Sequence, residues 1–138
     1  MQFIFAAHGP LAEEMKRTIE LLLGEREDIK CFCMVKNKSG DDAEREIRAL
    51  LDSCAVDELV VFTDLMGGSV NNIFTSLLME RGGFELVTGM NVALLLSVLT
   101  AYDGRGLGDY VEQGRGGVVR GDKVLEDGRE ENDRDISD

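Results

Sequence analysis

The hydrophobic positions of this chain switch between two periods. A continuous apolar run, Phe3-Ile4-Phe5-Ala6-Ala7, gives way to residues 11–23, where apolar positions recur at helical spacing. The first pattern reads as a strand buried on both faces, the second as an amphipathic helix. The alternation then repeats. Residues 30–35 read as a second strand, and Asn37-Lys38-Ser39-Gly40 as a turn. The next helix carries Ala43, Ile47, Leu50, Leu51 and Cys54 on one stripe, with Asp41 or Asp42 as its cap. Residues 58–63 form a third strand, 70–80 a third helix, and 84–88 a fourth strand. A helix then runs from Asn91 to Leu99 or Ala101. Strands alternating with helices predict an α/β fold: an open, mostly parallel sheet of four strands with helices on both faces.

The pattern loosens after Asp103, where Gly104, Gly106 and Gly108 interrupt it. Residues 110–113 read as a short helix. Gly117-Val118-Val119-Arg120 predicts a late edge strand, with Lys123-Val124-Leu125 as a possible pairing segment. The last stretch holds Glu126, Asp127, Glu130, Glu131, Asp133, Asp135 and Asp138 against Arg129 and Arg134. Residues 1–125 are therefore expected to form one domain, and 126–138 a disordered acidic tail. The net charge of -12 argues against nucleic-acid and anionic-membrane binding and favours a basic protein partner. The most apolar stretch, 92–99, is too short to span a bilayer. No basic n-region precedes the first strand, so no signal peptide is expected and the cytoplasm is the expected location. Cys31, Cys33 and Cys54 are odd in number, which argues against a disulfide framework. With one histidine in the chain, a metal site is rejected and no cofactor is called for.

The chemistry concentrates in three strand-to-helix turns that a parallel sheet brings to one edge: Ala7-His8-Gly9-Pro10, Thr63-Asp64-Leu65-Met66-Gly67-Gly68-Ser69 and Thr88-Gly89-Met90-Asn91. His8 and Asp64 each end a strand. A carboxylate beside a histidine fixes the tautomer by accepting from one ring nitrogen, which leaves the other with a free lone pair. Gly67-Gly68-Ser69 opens a helix, so inward-turned N–H groups, the helix N-terminus and a hydroxyl together make a small anion cradle. It has neither the lysine of a nucleotide P-loop nor the glycine spacing of a dinucleotide fold. Singly, each feature has a structural explanation: a core histidine, a helix-start acid, a Ser69 N-cap, a plain glycine turn. Jointly they suggest a histidine that handles a phosphoryl group, as nucleophile or as electrostatic host.

These residues resemble the enzyme IIA domain of the mannose family of bacterial sugar phosphotransferase systems. The likeness lies in Ala7-His8-Gly9, Leu22-Leu23-Gly24-Glu25, Thr63 to Ser69, and Val87-Thr88-Gly89-Met90-Asn91-Val92, in the family's order and spacing. Val70 stands where the family commonly has proline, a helix-start preference without chemical consequence. The resemblance implies that His8 accepts a phosphoryl group through Nε2 from the phosphocarrier protein HPr and passes it to an enzyme IIB partner during sugar uptake. It implies that Asp64 holds the other ring nitrogen and that Gly67, Gly68 and Ser69 surround the phosphoryl group. It also implies a homodimer that exchanges the late strand. Leu65 and Met66 are the expected partner-contacting residues, Met because its thioether adapts to different surfaces. Ending at Asp138, the chain is expected to be a separate subunit or an isolated domain. Two other readings compete: the phosphotransfer subunit of a dihydroxyacetone kinase system, and a regulatory module that binds an anion without covalent chemistry. His8-Gly9 and the double glycine favour the sugar system over the kinase subunit.

Overall fold

The computed structural model of the chain describes residues 1–54 and 58–128. In chain order the elements are β1 (Gln2–His8), α1 (Leu11–Leu23), β2 (Ile29–Met34), α2 (Gly40–Asp52), β3 (Leu59–Thr63), α3 (Ser69–Arg81), β4 (Glu85–Thr88), α4 (Val92–Ala101) and α5 (Leu107–Arg115). The four strands form one sheet in the order β2-β1-β3-β4, and every neighbouring pair is parallel. The predicted α/β architecture is thus the observed one.

Alternation along β1 divides the interior in two. Phe3, Phe5 and Ala7 face a core completed by α1 and α4, with Ala12, Ile19, Leu94, Leu95, Val98 and Leu99. Ile4 and Ala6 face the opposite core, built with Ala43, Ile47 and Leu51 of α2 and Val70, Phe74 and Leu77 of α3. Both faces of β1 are covered, which is why its sequence is continuously apolar. Phe62 stacks on Phe3 and meets Phe5 edge-on, with ring centroids 6.3 and 5.9 Å apart. The chain leaves β1 toward β2 on one side and returns to place β3 on the other. The crossovers place helices on opposite faces and bring the turns after β1 and β3 to one edge of the sheet.

Three local expectations need correction. The cap of α2 is Ser39, whose side chain accepts from the Asp42 N–H, so the helix starts before the two aspartates and they fill its first turn. Gly68, not Ser69, is the N-cap of α3. The predicted late strand is absent from the described residues: 118–120 are irregular and 121–128 are helical. A β ladder needs a partner edge. Here Val118, Val119, Val124 and Leu125 are exposed, and the last turns are held locally by contacts such as Lys123 to Glu126. Of the predicted acidic tail, 126–128 continue this helix and 129–138 lie outside the described residues. No described helix is long and apolar enough to cross a membrane. Cys31, Cys33 and Cys54 are free thiols. The first two line the α1 core half-buried, and burial pushes the Cys31 thiol up to about 11.

Candidate functional site

His8 is the last residue of β1 and the first exposed one after five buried positions. Gly9, at φ 59°, turns the chain immediately afterwards, and its N–H bonds to the carbonyl of Met34 at 2.9 Å. That turn leaves the imidazole at the carboxyl edge of the sheet with 46% of its side chain accessible. Asp64 follows β3, the strand paired with β1 on the side away from β2. Its Oδ2 accepts twice from His8, from the backbone N–H at 3.0 Å and from the ring Nδ1 at 2.9 Å. The carboxylate therefore fixes both the backbone and the ring of the same residue.

Ser69 Oγ lies 3.1 Å from the other ring nitrogen, Nε2. With Nδ1–H directed at Asp64, Nε2 carries the lone pair, and the serine hydroxyl donates to it. The imidazole is thus held at both nitrogens, by residues from the two ends of one loop. Asp64 is largely buried, with 14% of its side chain accessible. Burial pushes its carboxyl up. The backbone and ring hydrogen bonds from His8, with the ring's charge, together outweigh burial and hold it below the usual aspartate value.

The two glycines of this loop are required for different reasons. Gly67 has φ 80°, in the left-handed region that side chains disfavour. Gly68 has an ordinary extended backbone, but a Cβ there would sit 3.1 Å from His8 Cε1 and 3.2 Å from the Leu65 carbonyl oxygen. Glycine 68 lets the backbone reach the ring. The N-terminus of α3 begins at Ser69, whose hydroxyl is the group beside Nε2.

Leu65 and Met66 are 60% and 74% exposed, on the rim of this edge. Sequence reading missed two neighbours of the same character, Leu11 at the start of α1 and Val35 just after β2, which are 42% and 49% exposed. Their signal was their place, each next to a sheet-edge turn on a segment whose buried stripe they leave. It also missed Asn71, a polar residue on the buried stripe Val70, Asn71, Phe74, Leu77 of α3. Among the described residues, no group of three His, Cys, Asp or Glu side chains is placed to hold a metal ion.

The chain has recognisable relatives. The sequence model of one family, described as PTS system fructose IIA component, matches residues 2–114. The mannose-specific EIIAB component of the PTS system of Escherichia coli K12 is 29% identical over 121 residues, covering 83% of this chain and 38% of that protein. The chain thus corresponds to well under half the length of that relative. The sorbose-specific EIIA component of Klebsiella pneumoniae is 26% identical over 96 residues, 70% of each chain. Among solved structures, the PTS IIA protein associated with the fucose utilization operon of Streptococcus pneumoniae superposes with a TM-score of 0.81 at 27% identity, covering 90% of this chain and 95% of that one.

Proposed function

The chain belongs to the family of PTS system fructose IIA components, and on that premise we propose that it is a phosphohistidine carrier in sugar uptake. It takes a phosphoryl group from HPr and delivers it to an enzyme IIB partner. His8 is the carrier residue. One observation supports this reading above the others: His8 is exposed at the sheet edge, with Nδ1 against Asp64 and Nε2 beside Ser69 and the double glycine.

The step follows from those contacts. Nε2 attacks the phosphorus of the donor's phosphohistidine. The new N–P bond forms as the donor's N–P bond breaks, and the donor ring recovers its electron pair. Nδ1 keeps its proton, so positive charge develops on the ring, and the ionised Asp64 stabilises it at hydrogen-bond distance. Ser69, displaced from Nε2 by the incoming phosphorus, donates to a phosphoryl oxygen. Gly67 and Gly68 leave space for those oxygens near the N-terminus of α3. Two macromolecular rings must meet at one phosphorus, so the site has to lie open. Leu65 and Met66, joined by Leu11 and Val35, supply the apolar surface on which either partner docks.

The same reading places the chain in the cytoplasm as a homodimer, with 1–125 as the phosphotransfer unit and the acidic 126–138 outside it. The exposed Val118, Val119, Val124 and Leu125 suit pairing with a second copy. Incubation with phosphoenolpyruvate, enzyme I and HPr, followed by mass spectrometry, tests the carrier role. One acid-labile phosphate is expected on the protein and none on His8→Ala. Label that survives in His8→Ala overturns the assignment, and an unlabelled native protein points to the anion-binding module instead.

A further inference from the structure

Among the described residues, two polar side chains are buried in the core, Thr63 at 0% and Asn71 at 2% exposure. They touch each other: the Thr63 hydroxyl donates to Asn71 Oδ1 at 2.7 Å. The Asn71 amide in turn lies 3.6 Å from Met66 Sδ, an N–H···S contact. Thr88 stands level with Thr63 in the β3–β4 register, and its buried hydroxyl has no partner among the described residues. A polar group in an apolar interior costs stability unless bonded, and apolar side chains of the same volume would fill this place more cheaply. Their position gives a reason for their presence. Thr63 immediately precedes Asp64. Asn71 lies two residues after Ser69. Met66 is the midpoint of the loop between.

The Thr63–Asn71 bond is therefore a strap under the loop, tying the end of β3 to the first turn of α3. Asp64 and Ser69 are the two residues that hold the ring nitrogens of His8, at 2.9 and 3.1 Å. Their separation must match the fixed width of an imidazole. Without the strap, three hydrogen bonds remain in or beside the loop: Gly68 N–H to the Leu65 carbonyl at 3.1 Å, Asn72 N–H to the Gly68 carbonyl at 2.9 Å and the Asn72 side-chain amide to the Gly67 carbonyl at 3.2 Å. None of the three reaches β3, whose end is held instead to the turn after β4, the Gly89 and Met90 N–H groups each donating to the Thr63 carbonyl at 3.0 Å. The strap is the side-chain bond that fixes the loop's helix end to its strand end.

We propose that Asn71, acting with Thr63, is a positioning residue that sets the span between Asp64 and Ser69 and so presents His8 Nε2 in one orientation and one tautomer. This rests on the carrier reading for its kinetic consequence, but the ring geometry is independent of it. The test compares the native chain with Asn71→Leu, Thr63→Val, Thr63→Ser and the double variant Thr63→Val/Asn71→Leu. Three quantities are measured: the ¹⁵N shifts of the unphosphorylated His8 ring, the rate of phosphoryl uptake from phosphorylated HPr, and the melting temperature. Asn71→Leu and Thr63→Val should mix the two His8 tautomers and slow uptake by about tenfold or more, since misplacement near 1 Å costs about 10²-fold. Thr63→Ser keeps the hydroxyl and should retain the native tautomer and rate. The double variant removes both partners of the bond together, leaving neither unpaired, and should regain melting temperature without regaining rate. A native tautomer and rate in Asn71→Leu, or a rate that recovers together with stability in the double variant, overturns the proposal. If Asn71→Leu fails to fold, Thr63→Val, close to isosteric, carries the test. If the native protein takes up no phosphate, the carrier reading fails while the tautomer comparison still judges the strap.

Discussion

Two pairs of glycines, Gly67 with Gly68 and Gly114 with Gly117, do opposite work. Gly67 and Gly68 bring backbone up to an exposed imidazole, where a Cβ on Gly68 would meet His8 Cε1 at 3.1 Å. Gly114 and Gly117 bring the end of α5 onto α4, where added Cβ atoms would meet Leu94 Cβ at 2.6 Å and Ala93 Cβ at 2.5 Å. At the second pair the neighbours are a buried helix and its first turn, held further by the Asn91 amide to the Gly114 carbonyl at 3.4 Å. Chemically alike, the two close approaches differ in what lies opposite: an exposed imidazole held at both nitrogens, or core atoms that must keep their density. Substitutions in the site loop should therefore change rates, and substitutions at the α4–α5 contact should change stability.

The largest effect belongs to the loop. Asp64→Ala removes the only acceptor shared by the His8 backbone N–H and ring, and uptake of the phosphoryl group should slow by about 10²–10⁴-fold. Rapid-quench kinetics decides, and an unchanged rate removes Asp64 from the step. Next comes the packing contact. Gly114→Ala overpacks Leu94 at a cost of about 1–3 kcal/mol, offset by up to about 1 kcal/mol of helix propensity. Thermal unfolding should begin several degrees lower while the uptake rate at 25 °C stays native. A slowed uptake with native melting would merge the two regions. Gly68→Ala should do the reverse: uptake slowed roughly tenfold, a fraction of the cost of a full 1 Å misplacement, with melting little changed.

The smallest effect sharpens the electrostatic side. The folded Asp64 carboxyl titrates below its ordinary value of about 3.9. Its stabilising contribution is complete above that value and is lost as pH falls through the lowered folded one. The stability gap between the native chain and Asp64→Asn should accordingly narrow as pH falls below about 4. A gap that narrows between pH 5 and 7 would mean another group controls it.

The fold was legible because its signals are local. Phe3 to Ala7 and Leu59 to Phe62 are continuous apolar runs, buried on both sides as such runs require. The span of α1 is as read, since Pro10 and Gly24 bound its periodic stretch. His8, Asp64 and Ser69 were legible as a group because parallel strands bring their carboxyl ends to one edge, whatever the register. Contacts set by tertiary approach were not. The Thr63–Asn71 bond joins residues on a strand and a helix, and nothing in either segment alone marks the pairing. Residues 117–125 have strand-like composition, but strand needs an edge to pair with, and in the single chain 121–128 satisfies its backbone as helix.

If His8 reacts through Nε2 while Asp64 keeps the proton on Nδ1, ¹H–¹⁵N correlation spectra of the imidazole in protein phosphorylated through HPr should show it. Phosphorus coupling is expected at Nε2 with a protonated Nδ1, and that Nδ1 proton should exchange faster in Asp64→Asn. Phosphorus coupling at Nδ1, the nitrogen now 2.9 Å from the Asp64 carboxylate, would contradict it.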